Sequence, residues 1–168
     1  MFYLISGWAI YHMIEYVLHS FSHNPKFPMM YQLHKNHHTI YYPPTQLLDN
    51  KPYKTGYTYY LADGTMTFGP PSILIMGSAY LINQEFFFKI IPNIILFAFL
   101  ADYIHTNIHI KNSWLEKYDW FLRIRERHFI HHKYTTKNMN IIDMNLDKLI
   151  KTYKDKTIAS NDNHNLNN

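Results

Sequence analysis

The chain has 168 residues, which suits a single domain. It contains no cysteine, and this excludes disulfide bonds, thiolate zinc sites, cysteine-ligated iron–sulfur clusters and cysteine nucleophiles. Aromatic residues make up 17% of the chain, far too many for a disordered protein. The formal net charge of +4 suits either nucleic acid or an anionic membrane surface as a partner.

Hydropathy divides the chain into successive zones. The first zone, residues 1–18, is apolar apart from His12 and Glu15, and it lacks the basic start and the small-residue cleavage site of a signal peptide. A polar zone rich in tyrosine and proline, a second apolar zone, a basic amphipathic zone and an asparagine-rich tail follow. These four zones cover residues 19–67, 68–104, 105–153 and 154–168. The sequence predicts one domain over residues 1–153 and a disordered polar tail over 154–168.

The second apolar zone is too long for one membrane span, which needs about 20 apolar residues. It is interrupted by polar side chains at residues 83–85, so we predict a helical hairpin with arms at residues 69–82 and 86–104. Each arm is either short for a membrane span or interrupted by polar residues and proline. The arms therefore either cross the bilayer with a tilt or enter one leaflet and return. On composition alone, a soluble helical protein with two buried helices is the alternative.

Basic residues flank the predicted hairpin on both sides. Residues 19–60 carry four lysines against one aspartate, and residues 105–137 carry seven basic residues against three acidic ones. The hairpin tip is neutral, since Lys89 offsets Glu85. By the positive-inside rule both flanks are cytosolic, and a hairpin is what places them on the same side. We therefore expect a multi-pass membrane protein.

The placement of the histidines is the most specific feature of the sequence. Ten of the 12 histidines form the ordered series HxxxH, HxxHH, HxxxH, HxxHH, whereas chance would give about 0.06 copies of HxxHH in a chain of this composition. The ten are His19, His23, His34, His37, His38, His105, His109, His128, His131 and His132. Positions i, i+3 and i+4 of a helix share a face, so each HxxHH is expected to present three imidazoles to one side and each HxxxH two.

Imidazole clusters of this kind favour a transition metal as their partner. Ten ligands are too many for one ion, so we expect two metal ions where four helical segments converge, in outline like the dimetal helix bundles. An all-imidazole shell is neutral, so water, hydroxide, oxygen species or nearby acids should moderate the charge of two divalent ions. The candidates are Glu15, Asp102 and Glu126, each of which could equally be an ordinary surface acid or the partner of a neighbouring arginine.

Two histidines lie outside the series. His12 falls within the first apolar helix, where we expect a buried, hydrogen-bonded residue, and His164 falls in the tail, where we expect it in solvent. A single HxxxH is more often an ordinary pair of core or surface histidines than a metal site. The metal interpretation therefore depends on the whole series.

The series resembles the fatty acid hydroxylase superfamily, integral membrane oxygenases that include sterol desaturases, sphingolipid fatty acid hydroxylases and carotene hydroxylases. The resemblance covers about residues 15–153. It extends to HHTIYYP at residues 37–43, which is similar to the family's HH and Tyr-Pro-type turn, and to residues 138–153, which resemble the family's asparagine-rich turn and closing signature. In that signature Ile150 and Lys151 replace the family's Phe-Gly pair.

The resemblance implies an all-α fold: an integral membrane helical bundle with a cytosolic, histidine-rich dimetal cap. The ten motif histidines would be the ligands of two metal ions, expected to be iron, with zinc as an alternative occupant in isolated protein. The implied activity is hydroxylation or desaturation of a lipid C–H bond with dioxygen, in the biosynthesis of fatty acid or sterol-type lipids. Electrons would come from a separate donor protein, since we find no appended haem domain. In a eukaryotic cell or a viral host, the membrane would be the endoplasmic reticulum.

Other interpretations are weighed against this one. A histidine-rich zinc-binding or metal-handling membrane protein without turnover is the main alternative, although the apolar zones lack the polar ligands of a translocation path. A nucleic-acid-binding protein would explain the charge and the aromatic content but not two apolar zones, so nucleic acid is not expected as a partner. The tyrosine-rich residues 41–60 are expected either as an aromatic belt at the head-group level or as a loop that packs on the cap.

Overall fold

The computed structural model describes residues 1–53 and 63–155 of the chain. These residues are mostly helical and contain no strand, although Asp49 and Ile110 form an isolated parallel bridge. The helical elements in chain order are α1 (Phe2–Ser22), α2 (Pro28–Asn36), a π-helical turn (His37–Tyr41), α3 (Asp63–Ile82), α4 (Gln84–Ile108), a 3-10 turn (Trp114–Lys117), α5 (Asp119–Lys133) and α6 (Asn145–Ile150). The predicted all-α class is confirmed. His164 and almost all of the predicted tail lie outside the described residues.

Helices α3 and α4 follow one another as the predicted hairpin, but with different boundaries. α3 begins at Asp63 and passes through the proline pair at residues 70–71, so the predicted start at residue 69 is wrong. Proline favours the first turn of a helix, yet here an earlier stretch of helix precedes the proline pair. The polar tip shrinks to Asn83, whose side chain accepts a hydrogen bond from the Phe86 amide at 2.9 Å and so caps α4.

Helix α4 is long and apolar enough to cross a membrane, and it alone meets that test among the described residues. Its 25 residues extend over about 37 Å, which exceeds the hydrocarbon core of about 30 Å. Phe88, Leu96 and Phe99 are mostly exposed on its surface. Phe68–Ile82 of α3 forms a shorter apolar helix. A multi-pass bundle therefore stays a prediction.

Helix α1 packs against α4 through residues that recur at the helical period. The buried positions on α1 are Gly7, Tyr11, His12, Glu15, Leu18, His19 and Ser22. At Gly7 the two helices lie so close that a Cβ atom would be 2.6 Å from the Cβ of Asn93 on α4. Glycine is required here because of this close approach.

A small hydrophobic core lies beneath the C-terminal end of α4. It consists of Ile104, Ile108, Leu115, Phe121, Ile124 and Ile141. Beside it, the Arg125 guanidinium donates to the backbone carbonyls of Asn107 at 3.1 Å and Ile110 at 3.0 Å, and to the Glu116 carboxylate at 2.7 Å. Carbonyls at a helix end need such donors, so Arg125 both completes α4 and holds α5 against it.

Replacing Gly7 by alanine should force α1 and α4 apart, because the new methyl group would overlap the Cβ of Asn93. We expect the free energy of unfolding to fall by about 1–3 kcal/mol, as is usual for overpacking. In an Asn93→Gly background, which removes the opposing Cβ, the same substitution should cost much less. Thermal unfolding of the four forms in detergent measures both costs, and equal costs would contradict the close approach.

Candidate metal centre

The two HxxxH motifs occupy equivalent positions at the ends of the two long helices that pack together. His19 lies in the last turn of α1, and His23 caps the C-terminus of that helix. His105 and His109 hold the same two positions on α4. Each apolar helix therefore ends by presenting a pair of imidazoles, one helical turn apart.

The two HxxHH motifs lie on the shorter segments that cover these helix ends. The first begins on α2 and continues into the π-helical turn, and the second lies within α5. A π turn is rare in proteins and often marks a functional site. All the motif histidines are buried except His23 and His105, which are partly buried. Four segments thus gather ten imidazoles out of water.

Five histidines form what we call the first set. They are His19, His23, His34, His38 and His131, and one ring nitrogen of each lies within 4.8 Å of the others. The Nε2 atom of His34 is 3.0 Å from that of His19 and 3.1 Å from that of His23. Two nitrogens bound at a right angle to one ion, each about 2.1 Å away, would be about 3.0 Å apart. The first set has the spacing of ligands around a shared ion.

The second set is arranged in the same way around His128. Its members are His37, His105, His109 and His128, whose ring nitrogens lie within 4.8 Å of one another, together with His132. The Nε2 atom of His128 is 3.1 Å from that of His105 and 3.0 Å from that of His132. His132 also forms a metal-capable group with His37 and His38, so these three side chains lie where the two sets meet.

The sets do not follow the two halves of the sequence, and each HxxHH motif is divided between them. The first and last histidines of each motif stay together, as His34 with His38 and His128 with His132. The middle histidine of each motif, His37 or His131, joins the set built mainly by the other motif. The three rings of each motif do lie together, with centroids within 6.1 Å of one another, but they belong to different sets. At about 100° per residue, positions i+3 and i+4 lie on opposite sides of position i, which lets neighbouring histidines face different sets.

Backbone carbonyls orient the imidazoles from outside the sets. The Nδ1–H groups of His109, His131 and His132 donate to the carbonyl oxygens of Leu47, Lys137 and Tyr42 at 2.8, 2.7 and 2.8 Å. The Nδ1–H group of His19 likewise donates to the Met139 carbonyl. When Nδ1 carries the proton, Nε2 is left with its lone pair facing inward. This second layer of hydrogen bonds is typical of metal-binding histidines.

The closing segment of the chain holds one of these carbonyls in place. The fully buried Asp147 carboxylate accepts hydrogen bonds from the amides of Met139 at 2.8 Å and Asn140 at 3.0 Å, and from the Thr152 hydroxyl at 2.7 Å. Burial raises the pKa of Asp147, and these hydrogen bonds oppose that shift. The resemblance had pointed to this stretch, but no spacing rule would have linked Asp147 through Met139 to His19.

The three predicted acids have different surroundings. Glu15 is buried and accepts hydrogen bonds from the Tyr11 hydroxyl at 2.9 Å and the Asn140 amide at 2.8 Å. It also accepts from Nδ1 of His12 at 3.1 Å, which confirms that His12 is buried and hydrogen-bonded. Asp102 and Glu126 are partly buried. Glu15 is therefore no surface acid, and it fastens α1 to the closing segment.

Burial favours the uncharged form of six of these imidazoles. It lowers the pKa of His37, His128 and His131 well below the ordinary value of 6.5, and the neighbouring histidines lower it further. Burial is also the main cause that lowers the pKa values of His23, His38 and His132. A neutral imidazole can bind a metal, and sites of this kind suit iron, zinc or copper. The histidine clusters are thus able to bind metal ions.

The family model described as fatty acid hydroxylase matches residues 4–152, about nine-tenths of the chain. The chain belongs to the fatty acid hydroxylase family. This confirms the resemblance inferred from the histidine series. Comparison with curated proteins and with solved structures gives no significant match. Membership implies an oxidoreductase of the lipid hydroxylase or desaturase type, in a family associated with membranes and dependent on metal.

An apolar cavity of about 410 Å³ opens onto both sets. His19 and His34 of the first set and His105 of the second line it, and the Phe68 ring on α3 is 6.3 Å from the His19 ring. Along α4 its wall continues back to Ile94, eleven positions or about 16 Å away from His105. The volume lies within the usual range for a small-ligand pocket, so the cavity joins the histidines to the apolar helices.

Residues of the tyrosine-rich stretch pack on the cap. The buried Tyr42 ring stacks on the His109 ring, with centroids 3.9 Å apart, while Tyr41 stacks on Tyr53 at 4.1 Å. The described part of the stretch, through Tyr53, therefore fits the expectation of a loop against the cap. Its remaining residues, 54–60, lie outside the described residues.

Metal-free protein should lose stability as the pH falls below about 6.5, because the unfolded chain binds protons at histidines that stay neutral when buried. Each such histidine contributes up to about 1.4 kcal/mol per pH unit. Replacing His131 by alanine should make this pH dependence shallower by about one proton. Unfolding of chelator-treated protein across a pH series measures the slope, and a stability that is constant below pH 6.5 would contradict the buried, neutral state.

Proposed function

We propose that the protein is a membrane-bound, non-haem dimetal oxygenase that hydroxylates or desaturates a lipid C–H bond. The observation that supports this most directly is the pair of histidine sets at one end of an apolar cavity. A metal-handling protein has no use for an apolar cavity of lipid dimensions at its metal site. An oxygenase acting on a hydrocarbon chain requires both features together.

The proposed ligands are the ten motif histidines, five for each ion. The first ion would be held by His19, His23, His34, His38 and His131, and the second by His37, His105, His109, His128 and His132. Iron is the proposed metal, because imidazole suits iron and the family is an oxygenase family. Two bound iron ions would supply the activation of dioxygen that an unactivated C–H bond requires.

The chain's own residues contribute orientation and the exclusion of water. The carbonyls of Leu47, Lys137 and Tyr42 fix the ring orientation of their histidines. The apolar walls of α1, α3 and α4 bind the hydrocarbon chain and keep water from the reacting carbon. Hydroxylation places one oxygen atom of dioxygen in the lipid and leaves the other in water, whereas desaturation leaves both in water. Either outcome consumes two external electrons and two protons, which we assign to a separate donor protein.

The proposed setting is a membrane with the histidine centre on its cytosolic side. Its support is the long exposed apolar helix α4 and the excess of basic residues on both sides of the α3–α4 hairpin. We propose a multi-pass topology and, in a eukaryotic cell or viral host, the endoplasmic reticulum. Lipid biosynthesis is the corresponding cellular role.

The division of the motifs between the sets predicts which histidines act together. Replacing His37 or His131 by alanine should abolish lipid oxidation and lower the metal content by about one ion for each protein. His131→Ala combined with His23→Ala should lose little more metal than either single variant, whereas His131→Ala combined with His105→Ala should lose both ions. His164→Ala is the control, with unchanged content. Elemental analysis of purified protein decides, and a His37→Ala protein with full occupancy would refute the assignment.

Lipid profiling separates the oxygenase from a zinc-binding protein without turnover. Cells that express the chain should contain a lipid that has gained one oxygen or lost two hydrogens, and cells that express His37→Ala should not. Purified protein loaded with iron and supplied with a reductant should consume dioxygen only when that lipid is present. Tight zinc occupancy with no lipid change and no substrate-dependent oxygen uptake would favour the alternative.

A further inference from the structure

Three large aromatic side chains are exposed together just after α4. Trp114, Tyr118 and Trp120 are 56%, 38% and 41% exposed. The Tyr118 ring centroid is 6.0 Å from that of Trp114 and 6.0 Å from that of Trp120. We call these three residues the aromatic platform. An exposed apolar patch of this kind marks an interaction surface.

The aromatic platform is joined to the exposed face of α4. The indole N–H of Trp114 donates a hydrogen bond of 2.7 Å to the hydroxyl of Tyr103, which is itself 47% exposed on α4. Phe99 and Leu100 lie one helical turn before Tyr103 on that helix and are also exposed. The platform is therefore continuous with the surface of the one described helix that is able to cross a membrane.

A lysine accompanies the aromatic rings. The Lys117 ammonium is 5.1 Å from the Trp114 ring centroid and 5.0 Å from the Tyr118 ring centroid. Tryptophan, tyrosine and lysine share an apolar body with a polar tip, and they are enriched where hydrocarbon meets lipid head groups. This composition, at the polar end of a membrane-capable helix, matches a lipid surface.

We propose that the aromatic platform lies in the head-group layer of the bilayer and sets the depth of the histidine centre. Tyr103, which is bonded to the platform, precedes His105 by two positions, or about 3 Å along α4. The two sets therefore lie close to the head-group level. The cavity extends from them towards Ile94, and so into the hydrocarbon.

This depth selects the carbons that are oxidised, an inference that rests on the proposed function. A lipid that keeps its polar group among the head groups and places its chain in the cavity presents its first carbons to the histidine sets. The oxidised position should then lie near the polar end of the lipid and not near the methyl end.

Tryptophan fluorescence tests the depth without any turnover. The full chain contains three tryptophans, so a Trp8→Phe variant reports on the platform alone, and a Trp114→Phe/Trp120→Phe variant reports on Trp8. In phosphatidylcholine vesicles, lipids brominated near the glycerol should quench Trp8→Phe strongly, and lipids brominated near the chain terminus should quench it weakly. Trp8 lies eleven positions, or about 16 Å, before His19 on α1, so its fluorescence should show the reverse order.

The outcomes separate this inference from the proposed function. Unquenched platform tryptophans, or stronger quenching from the chain terminus, would overturn the proposed depth whether or not the protein oxidises lipid. Platform tryptophans that become shielded only as the chain dimerises would assign the surface to a second copy and also overturn it. Shallow quenching without any lipid product would leave the depth supported and count against the oxygenase. With a product, oxidation at the methyl end would overturn the inferred position.

Discussion

The structure depends on the close approach of buried, uncharged imidazoles. Neighbouring Nε2 atoms within each set lie about 3 Å apart. His131 and His132 direct the lone pair of Nε2 inward because their Nδ1–H groups donate to carbonyls. Two lone pairs at that distance repel unless a proton or a cation lies between them. A metal ion relieves the repulsion of a whole set at once, whereas burial alone gives these polar rings no reason to meet. Binding of the proposed metal ions would therefore be coupled to the packing of the cap.

The packing of the two long apolar helices positions the two HxxxH motifs of the histidine centre. Helices α1 and α4 lie close at Gly7, and each ends in a pair of histidines at equivalent positions. The cap adds the HxxHH motifs, while Asp147 fixes the backbone that receives the His19 hydrogen bond. The helices therefore set the position of the imidazoles, and the cap sets their orientation.

Much of the centre could be predicted from spacing, because the distances between histidines along a helix are set by its pitch. Spacing could not show that His37 and His131 cross between the sets, since this depends on how the segments pack in three dimensions, which leaves no local signal. The sequence also could not show that the carbonyls of Leu47 and Met139 accept hydrogen bonds from histidines, because every residue has a carbonyl. The predicted start of α3 was wrong because the helix extends before the apolar zone, through residues that precede the proline pair.

The crossing of the two middle histidines makes the centre a single unit. If each HxxHH served one ion, α2 and α5 could move apart with both sets intact. As it is, His131 ties α5 to the set built by α1 and α2, and His37 ties the π-helical turn to the set built by α4 and α5. Any displacement of one segment would therefore change the ligands of both proposed ions. The cavity touches both sets, so the position of a bound hydrocarbon chain and the geometry of the two proposed ions are set by the same four segments.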